Sequence, residues 1–137
     1  IFRGVSKDMS RLIKDMTQDL QAFFMVFSAK MAEAQIPFVL TCTYRSQAEQ
    51  DALYAQGRTA PGKVVTWTKN SMHTAGKAFD IAIVRNDKVS WDIKVDVNDN
   101  LIPDYKEAGL IGEKCGLEWG GRFGSPDMPH FQVKVIV

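Results

Sequence analysis

The chain contains two histidines, and each lies in a short motif with a carboxylate. His73 is followed seven residues later by Asp80, and Asp127 precedes His130 by three residues. Two imidazoles and one carboxylate are a ligand set of catalytic zinc sites, which leave a fourth position open for water. The second carboxylate could take a proton from that water. The sequence therefore predicts a metal site with His73, Asp80 and His130 as ligands and Asp127 as base.

Each motif also has a simpler interpretation. Asp80 lies in an apolar segment, Ala78–Val84, that is typical of a buried strand, where it faces away from Phe79 and Ile81. A carboxylate there is costly to bury unless it is paired, hydrogen-bonded to backbone N–H groups or bound to a metal. Taken singly, His130 is better interpreted as a core histidine. The two motifs together favour one shared metal site.

Arg45 is the third candidate for chemistry. It follows the strand-forming segment 38–44, and side chains at the exit of a strand often point into a cleft. A fixed guanidinium beside a metal could stabilise the oxyanion that forms when water attacks a carbonyl. The alternative is a surface salt bridge with Glu49 or Asp51. When Arg45 is considered without the two metal motifs, this alternative is the favoured one.

The elements that must position these residues alternate irregularly between helix and strand. Ser46 and Glu49 form a capping box for one helix, and Pro103 begins another. The remaining periodicities predict the following segments: a helix over 7–34, a helix over 46–56, a loop over 57–72, strands over 78–84 and 88–91, a helix over 103–115 and a strand over 131–137. The absence of a regular βαβ alternation favours an α+β fold.

Bulk composition sets the class of protein. The 137 residues, 45% hydrophobic and 24% charged, predict one globular domain that spans 1–137. A net charge of +1 gives no basis for a nucleic-acid partner. Cys42 and Cys115 are expected to be free thiols rather than a disulfide. The most apolar stretch, 20–29, is too short to span a membrane. No signal peptide is visible in the sequence, and the earlier removal of one stays an open alternative.

Two motifs resemble the signatures of a known family, the zinc peptidases that comprise D-alanyl-D-alanine carboxypeptidases and L-alanyl-D-glutamate endopeptidases. These motifs are Ser71-x-His73-x-x-Gly76-x-Ala78-x-Asp80 and Asp127-x-x-His130. Three further segments are similar to its endopeptidase branch: Tyr44–Ser46, Glu49–Thr59 and Gly116–Gly121. The resemblance extends over roughly residues 38–133, and the pairing of the two motifs is highly specific.

The resemblance implies a Hedgehog/DD-peptidase-like α+β fold, in which a small, mostly antiparallel sheet is flanked by helices. It also implies Zn²⁺ held by His73, Asp80 and His130, with Asp127 as the base and Arg45 as the group that binds the scissile carbonyl oxygen. Some branches carry glutamate where this chain has Asp127, which is shorter by one methylene. The aspartate matches the endopeptidase branch.

The sequence thus predicts a monomeric zinc metallopeptidase that cleaves the L-alanyl-D-glutamate bond of the peptidoglycan stem peptide. One alternative is a D-alanyl-D-alanine carboxypeptidase, and another is a zinc-binding module without catalysis, as in the Hedgehog relatives of the fold. Such an enzyme would act at the bacterial cell wall, in the periplasm or outside the cell. A phage endolysin and an exported bacterial enzyme fit this setting equally.

Overall fold

A computed structural model describes residues 9–135 of the chain. The described segment contains short strands, three α-helices and two 3₁₀ turns, at Ile13–Asp15 and Gly120–Arg122. The strands and α-helices follow in chain order as β1 (Met9–Ser10), α1 (Gln18–Glu33), β2 (Phe38–Cys42), β3 (Tyr44–Arg45), α2 (Gln47–Ala55), β4 (Ala78–Arg85), β5 (Lys88–Ser90), α3 (Asp104–Lys114), β6 (Leu117–Trp119) and β7 (His130–Val133).

The main sheet has the strand order β2-β4-β7-β6, and β5 forms a hairpin with the end of β4. Every pairing within it is antiparallel. Strands β1 and β3 form a separate antiparallel pair beside the main sheet. The expected α+β architecture, with an antiparallel sheet flanked by helices, is therefore confirmed.

The core forms where α1 lies across the apolar side of β4 and β7. The buried residues of α1 recur at helical spacing: Leu20, Phe24, Phe27 and Met31. The ring of Phe27 lies 4.9 Å from that of Phe131 and 5.4 Å from that of Phe79, measured between centroids. This aromatic packing fixes one face of the two central strands, and it leaves the opposite face free to carry polar groups.

Helix α3 approaches the sheet closely because two of its residues are glycines. A Cβ atom at Gly109 would lie 2.2 Å from the ring of Trp119, and one at Gly112 would lie 2.6 Å from the ring of Phe131. Neither position tolerates a larger residue without a shift of the helix. The close approach holds β6 and β7 in place, and β7 begins with His130.

Several predicted elements are confirmed. Ser46 caps α2, since its Oγ accepts a hydrogen bond from the backbone N–H of Glu49 at 3.1 Å. Strands β4 and β5 and helix α3 lie where the periodicity placed them. Cys42 and Cys115 are both free thiols. Within residues 9–135 no helix is long and apolar enough to cross a membrane.

The predicted helix over 7–34 is wrong in its first part, because α1 begins only at Gln18. Residues 9 and 10 instead pair with β3, and the hydroxyl of Ser10 donates a hydrogen bond to Asp15. Pairing with a distant strand thus overrides the local helical pattern. The last strand ends at Val133 rather than continuing to the C-terminus; residues 1–8 and 136–137 lie outside the described part. Strand β6 was not predicted.

Candidate metal centre

The sheet register brings Asp80 and His130 together. The two residues are direct partners across β4 and β7, although fifty positions separate them in the chain. Their neighbours Phe79 and Phe131 are also partners, and both are fully buried in the core. Because side chains alternate along a strand, the pairing that buries the two phenylalanines puts Asp80 and His130 on the opposite face.

His73 reaches the same point from the turn that precedes β4. Gly76 closes this turn with a φ of 70°, and its N–H donates to the backbone oxygen of His73 at 3.1 Å. A positive φ is readily adopted by glycine, so the expectation that Gly76 lets the chain fold back is confirmed. The oxygen of His73 also accepts from the backbone N–H of Arg45. The imidazole of His73 is 2% exposed.

Both imidazoles converge on one carboxylate oxygen. His73 Nε2 lies 3.1 Å and His130 Nδ1 lies 3.0 Å from Asp80 Oδ1. Burial alone would raise the pKa of Asp80, but the interactions with His130 and His73 outweigh it and hold that pKa well below its usual range. Asp80 is therefore ionised at neutral pH and offers an anionic oxygen between two imidazoles.

This arrangement fits a divalent metal. Neither ring nitrogen of the buried His73 has a hydrogen-bond partner among residues 9–135, although one of them points at a carboxylate. Two groups of three side chains each have their donor atoms within 4.8 Å of one another. One group is Cys42, His73 and Asp80, and the other is Asp80, Asp127 and His130, so Asp80 belongs to both. A metal ion would satisfy the imidazole nitrogens and the carboxylate together.

Asp127 belongs to this cluster but is exposed, on the loop that precedes β7. Its backbone N–H donates to the oxygen of Gly120, and its backbone oxygen accepts from the N–H of His130. A Cβ atom at Gly120 would lie 2.4 Å from that oxygen, so the loop requires glycine there. Although the residue as a whole is exposed, its position at the cavity partly desolvates the carboxylate, and this desolvation together with the negative charge of Asp80 raises the pKa of Asp127. The carboxylate is thereby a stronger base than an ordinary aspartate.

Arg45 lines the same cavity. Its Nη1 donates to Oε1 of Gln50 at 2.9 Å, and its Nη2 lies 3.7 Å from the sulfur of Cys42. Gln50 is fully buried, and its Nε2 donates to the backbone oxygen of Thr68 at 2.7 Å. Gln50 therefore links the guanidinium to the long loop, a contact different from the salt bridge that was weighed for Arg45.

The centre opens into a cavity of about 830 Å³. One wall is the loop of residues 65–72, which α2 holds through Gln50 and through Gln47, whose Nε2 donates to the oxygen of Lys69. The other wall carries Phe123 and residues 125–127. Its volume lies in the range of sites that bind small ligands, and its lining includes His73, Asp80 and His130.

Sequence reasoning missed three side chains at the centre. Gln50 and Cys42 contact Arg45, and burial raises the pKa of the Cys42 thiol to about 11, so the thiol is neutral. Gln132 contacts His130, with 2.7 Å between Gln132 Oε1 and His130 Nε2. Of the three, only Gln132 could have been found from the sequence, because a residue two positions beyond His130 on a strand faces the same side as His130.

Gln132 lies between His130 and Glu118. Its Nε2 donates to Oε1 of Glu118 at 3.4 Å, and a carboxylate accepts but does not donate. The amide oxygen of Gln132 therefore faces His130, and His130 Nε2 must carry a proton. Nδ1, which faces Asp80, is then the nitrogen that is free to bind a metal.

Replacing Gln132 by leucine is expected to weaken zinc binding by about 10- to 100-fold, because the tautomer and orientation of His130 are no longer fixed. Zinc affinity is measured by competition with a chromophoric chelator. The matched control is Gln21→Leu, which removes a half-buried glutamine of α1 whose amide donates to the backbone oxygen of Met16. Equal zinc affinity in both variants and the parent would contradict the role of Gln132.

Known proteins resemble this chain at the level of family, sequence and structure. A family model described as D-alanyl-D-alanine carboxypeptidase matches residues 65–133, a segment that includes His73, Asp80, Asp127 and His130. The chain is 36% identical over 135 residues to the peptidoglycan L-alanyl-D-glutamate endopeptidase CwlK of Bacillus subtilis (strain 168), and the match covers 94% of this chain and 75% of that protein.

The chain also resembles a solved structure. The crystal structure of the Serratia marcescens L-Ala D-Glu endopeptidase ChiX superposes with a TM-score of 0.68 and 22% identity. The superposition covers 89% of this chain and 83% of that one. At this identity the likeness shows a shared fold, with its antiparallel sheet and flanking helices.

Proposed function

This chain belongs to the D-alanyl-D-alanine carboxypeptidase family of metallopeptidases, and we propose that it is a zinc-dependent endopeptidase that cleaves the L-alanyl-D-glutamate bond of peptidoglycan. The observation that carries this proposal is the convergence of the His73 and His130 imidazoles on Asp80 Oδ1 in a cavity of about 830 Å³, with Asp127 close to Asp80 and His130. The relative of 36% identity supports the choice of bond.

We assign zinc to His73, Asp80 and His130, whose two nitrogens and one oxygen are donors that zinc takes in catalytic sites. When bound, zinc supplies a Lewis acid that polarises the scissile carbonyl and lowers the pKa of water. Asp127 is left out of the ligand set in this assignment, because its carboxylate is exposed towards the cavity while the other three side chains are largely buried.

The remaining residues move protons and bind charge. Asp127 accepts a proton from the attacking water and passes it to the amine that leaves, so that one C–O bond forms as the C–N bond breaks. The guanidinium of Arg45 donates hydrogen bonds to the carbonyl oxygen as negative charge develops on it. Gln50 holds Arg45 in position for this task.

The substrate places the site of action at the bacterial cell wall. The family description favours one competing activity, removal of the terminal D-alanine by a D-alanyl-D-alanine carboxypeptidase. Both activities use the same chemistry on different bonds of one stem peptide, so only the products separate them.

Digestion of purified cell walls tests the proposal. We expect new N-terminal D-glutamate to appear, and we expect a zinc chelator to abolish its release and added zinc to restore it. Mass spectrometry of the soluble fragments identifies the bond that is cut. Release of free D-alanine with an otherwise intact stem would establish the carboxypeptidase instead, and cleavage that resists the chelator would overturn the zinc mechanism.

A further inference from the structure

A second group of metal-binding side chains lies in the loop that joins β5 to α3. Oxygen-bearing side chains occupy positions 1, 3, 5, 9 and 12 of a twelve-residue segment that begins at Asp96; they are Asp96, Asn98, Asn100, Asp104 and Glu107. This spacing is that of the calcium loop of an EF-hand, in which the twelfth residue is a bidentate glutamate. None of the five lines the cavity of the metal centre.

The folded loop brings these side chains together. Asn98 and Asn100 both place their amide nitrogens against Oε1 of Glu107, at 3.3 and 2.7 Å. The carboxylate of Asp96 turns back on the loop and accepts from the backbone N–H groups of Asn100 and Leu101, at 3.3 and 2.9 Å. Residues 1, 3, 5 and 12 of the pattern are therefore linked by direct contacts.

Position 6 is the one departure from the pattern. EF-hand loops carry glycine there because the chain turns sharply. This chain has Leu101, which adopts the same left-handed conformation with a φ of 69° and is 89% exposed. The backbone thus makes the required turn in spite of the leucine.

Buried oxygens without partners are an independent sign of a missing cation. Asp104 is fully buried, and its Oδ2 accepts from the backbone N–H of Val97 at 2.7 Å, so its carboxylate faces the loop. Its Oδ1 has no hydrogen-bond partner among residues 9–135, and neither has the buried Oδ1 of Asn98. A buried carboxylate oxygen without a partner is strongly unfavourable, and a bound cation would compensate it.

The electrostatic surroundings agree with this geometry. Burial raises the pKa of Asp104, and the negative charges of Asp96 and Glu107 raise it further. The three carboxylates are therefore near enough for their negative charges to repel one another. A divalent cation would remove their mutual repulsion.

We propose that the loop from Asp96 to Glu107 binds one calcium ion, separately from the zinc centre. Carboxylate and amide oxygens suit calcium, which accepts six to eight oxygen ligands in flexible geometry, whereas magnesium requires a small octahedron. The Oδ1 of Asn98 is already without a partner in the described part of the chain and is available to the ion, and the exposed amide of Asn100 turns its oxygen to the ion when it binds, which frees Glu107 to bind it as well. Calcium stabilises the fold, because the unfolded chain does not hold these ligands together.

Titration of the zinc-loaded full chain with calcium chloride in calcium-free buffer tests this site. We expect one equivalent to bind and the melting temperature to rise with calcium concentration, with little response to magnesium chloride. Glu107→Gln should weaken calcium binding by about tenfold or more, since it removes the bidentate ligand. The matched control, Asp99→Asn, removes the same charge from an exposed loop position outside the pattern and should change the affinity by less than about threefold.

A variant that is expected to bind calcium more tightly distinguishes the loss of a ligand from a damaged fold. Asn100→Asp adds a charged ligand at position 5 and should tighten calcium binding by several fold, which a damaged fold could not do. Absence of calcium binding up to about 10 mM, beyond the range of weak extracellular calcium modules, would overturn the proposal. So would equal losses of affinity in Glu107→Gln and Asp99→Asn.

Discussion

Replacing Asp127 by asparagine is expected to reduce kcat by about 10²- to 10⁴-fold while zinc stays bound. The amide has nearly the shape of the carboxylate but cannot accept a proton, so the change removes the base alone. The backbone bonds of this residue to Gly120 and His130 do not involve its side chain and should survive. Turnover is measured on purified cell walls, and zinc content by elemental analysis.

The pH profile gives a second readout for Asp127. Because burial and the charge of Asp80 raise its pKa, the carboxylate becomes protonated at a pH above the 3.8 of an ordinary aspartate. Activity of the parent enzyme should therefore fall on the acid side of the profile as Asp127 takes up a proton, and this limb should vanish from the residual activity of Asp127→Asn. The control is Asp87→Asn, an exposed turn residue between β4 and β5.

Full activity in Asp127→Asn would exclude the aspartate as base. The parent protein itself tests the interpretation of the chain as a zinc-binding module without catalysis. A module has no turnover to lose, so the parent protein would bind zinc and leave every wall fragment intact.

Replacing Asp80 by asparagine should abolish both zinc binding and activity. Asp80 is the residue that both imidazoles contact, so its loss leaves His73 and His130 without the shared anionic oxygen. We expect zinc affinity to fall by more than about 100-fold, beyond the effect of removing a residue that only supports a ligand. Chelator competition measures the affinity, with Asp87→Asn again as control. Retention of stoichiometric zinc would remove Asp80 from the ligand set.

Asp80 should also affect stability in the metal-free protein. Its pKa is lower in the folded state than the unfolded value of 3.8, so ionised Asp80 stabilises the fold above that pH. The contribution is lost as the pH falls below 3.8 towards the folded-state pKa. Asp80→Asn removes it at neutral pH, and the variant's unfolding free energy should depend less on pH in that acid range.

The two substitutions separate the roles of the two carboxylates. Asp127→Asn should keep zinc and lose turnover, whereas Asp80→Asn should lose both. If the two variants behaved alike, the division into ligand and base would be wrong, although the cluster of donor atoms would stand.

Local sequence patterns predicted much of the fold. An apolar run located β4, and the hydroxyl of Ser46 three residues before Glu49 located the start of α2, because both signals depend only on neighbours in the chain. The helix predicted for the N-terminal segment was wrong because that segment pairs with a distant strand. Met9 and Ser10 pair with Arg45 and Tyr44, and no local periodicity reports a partner so far along the chain.

By itself, the sequence predicted which residues could carry the chemistry, since two short motifs each pair a histidine with a carboxylate: His73 with Asp80, and His130 with Asp127. The tertiary structure decided how they meet. The register of β4 against β7 makes Asp80 and His130 partners, and the same register brings Gln132 to His130. Register depends on the packing of Phe79 and Phe131 beneath α1, a sum of contacts between distant segments that no short motif encodes.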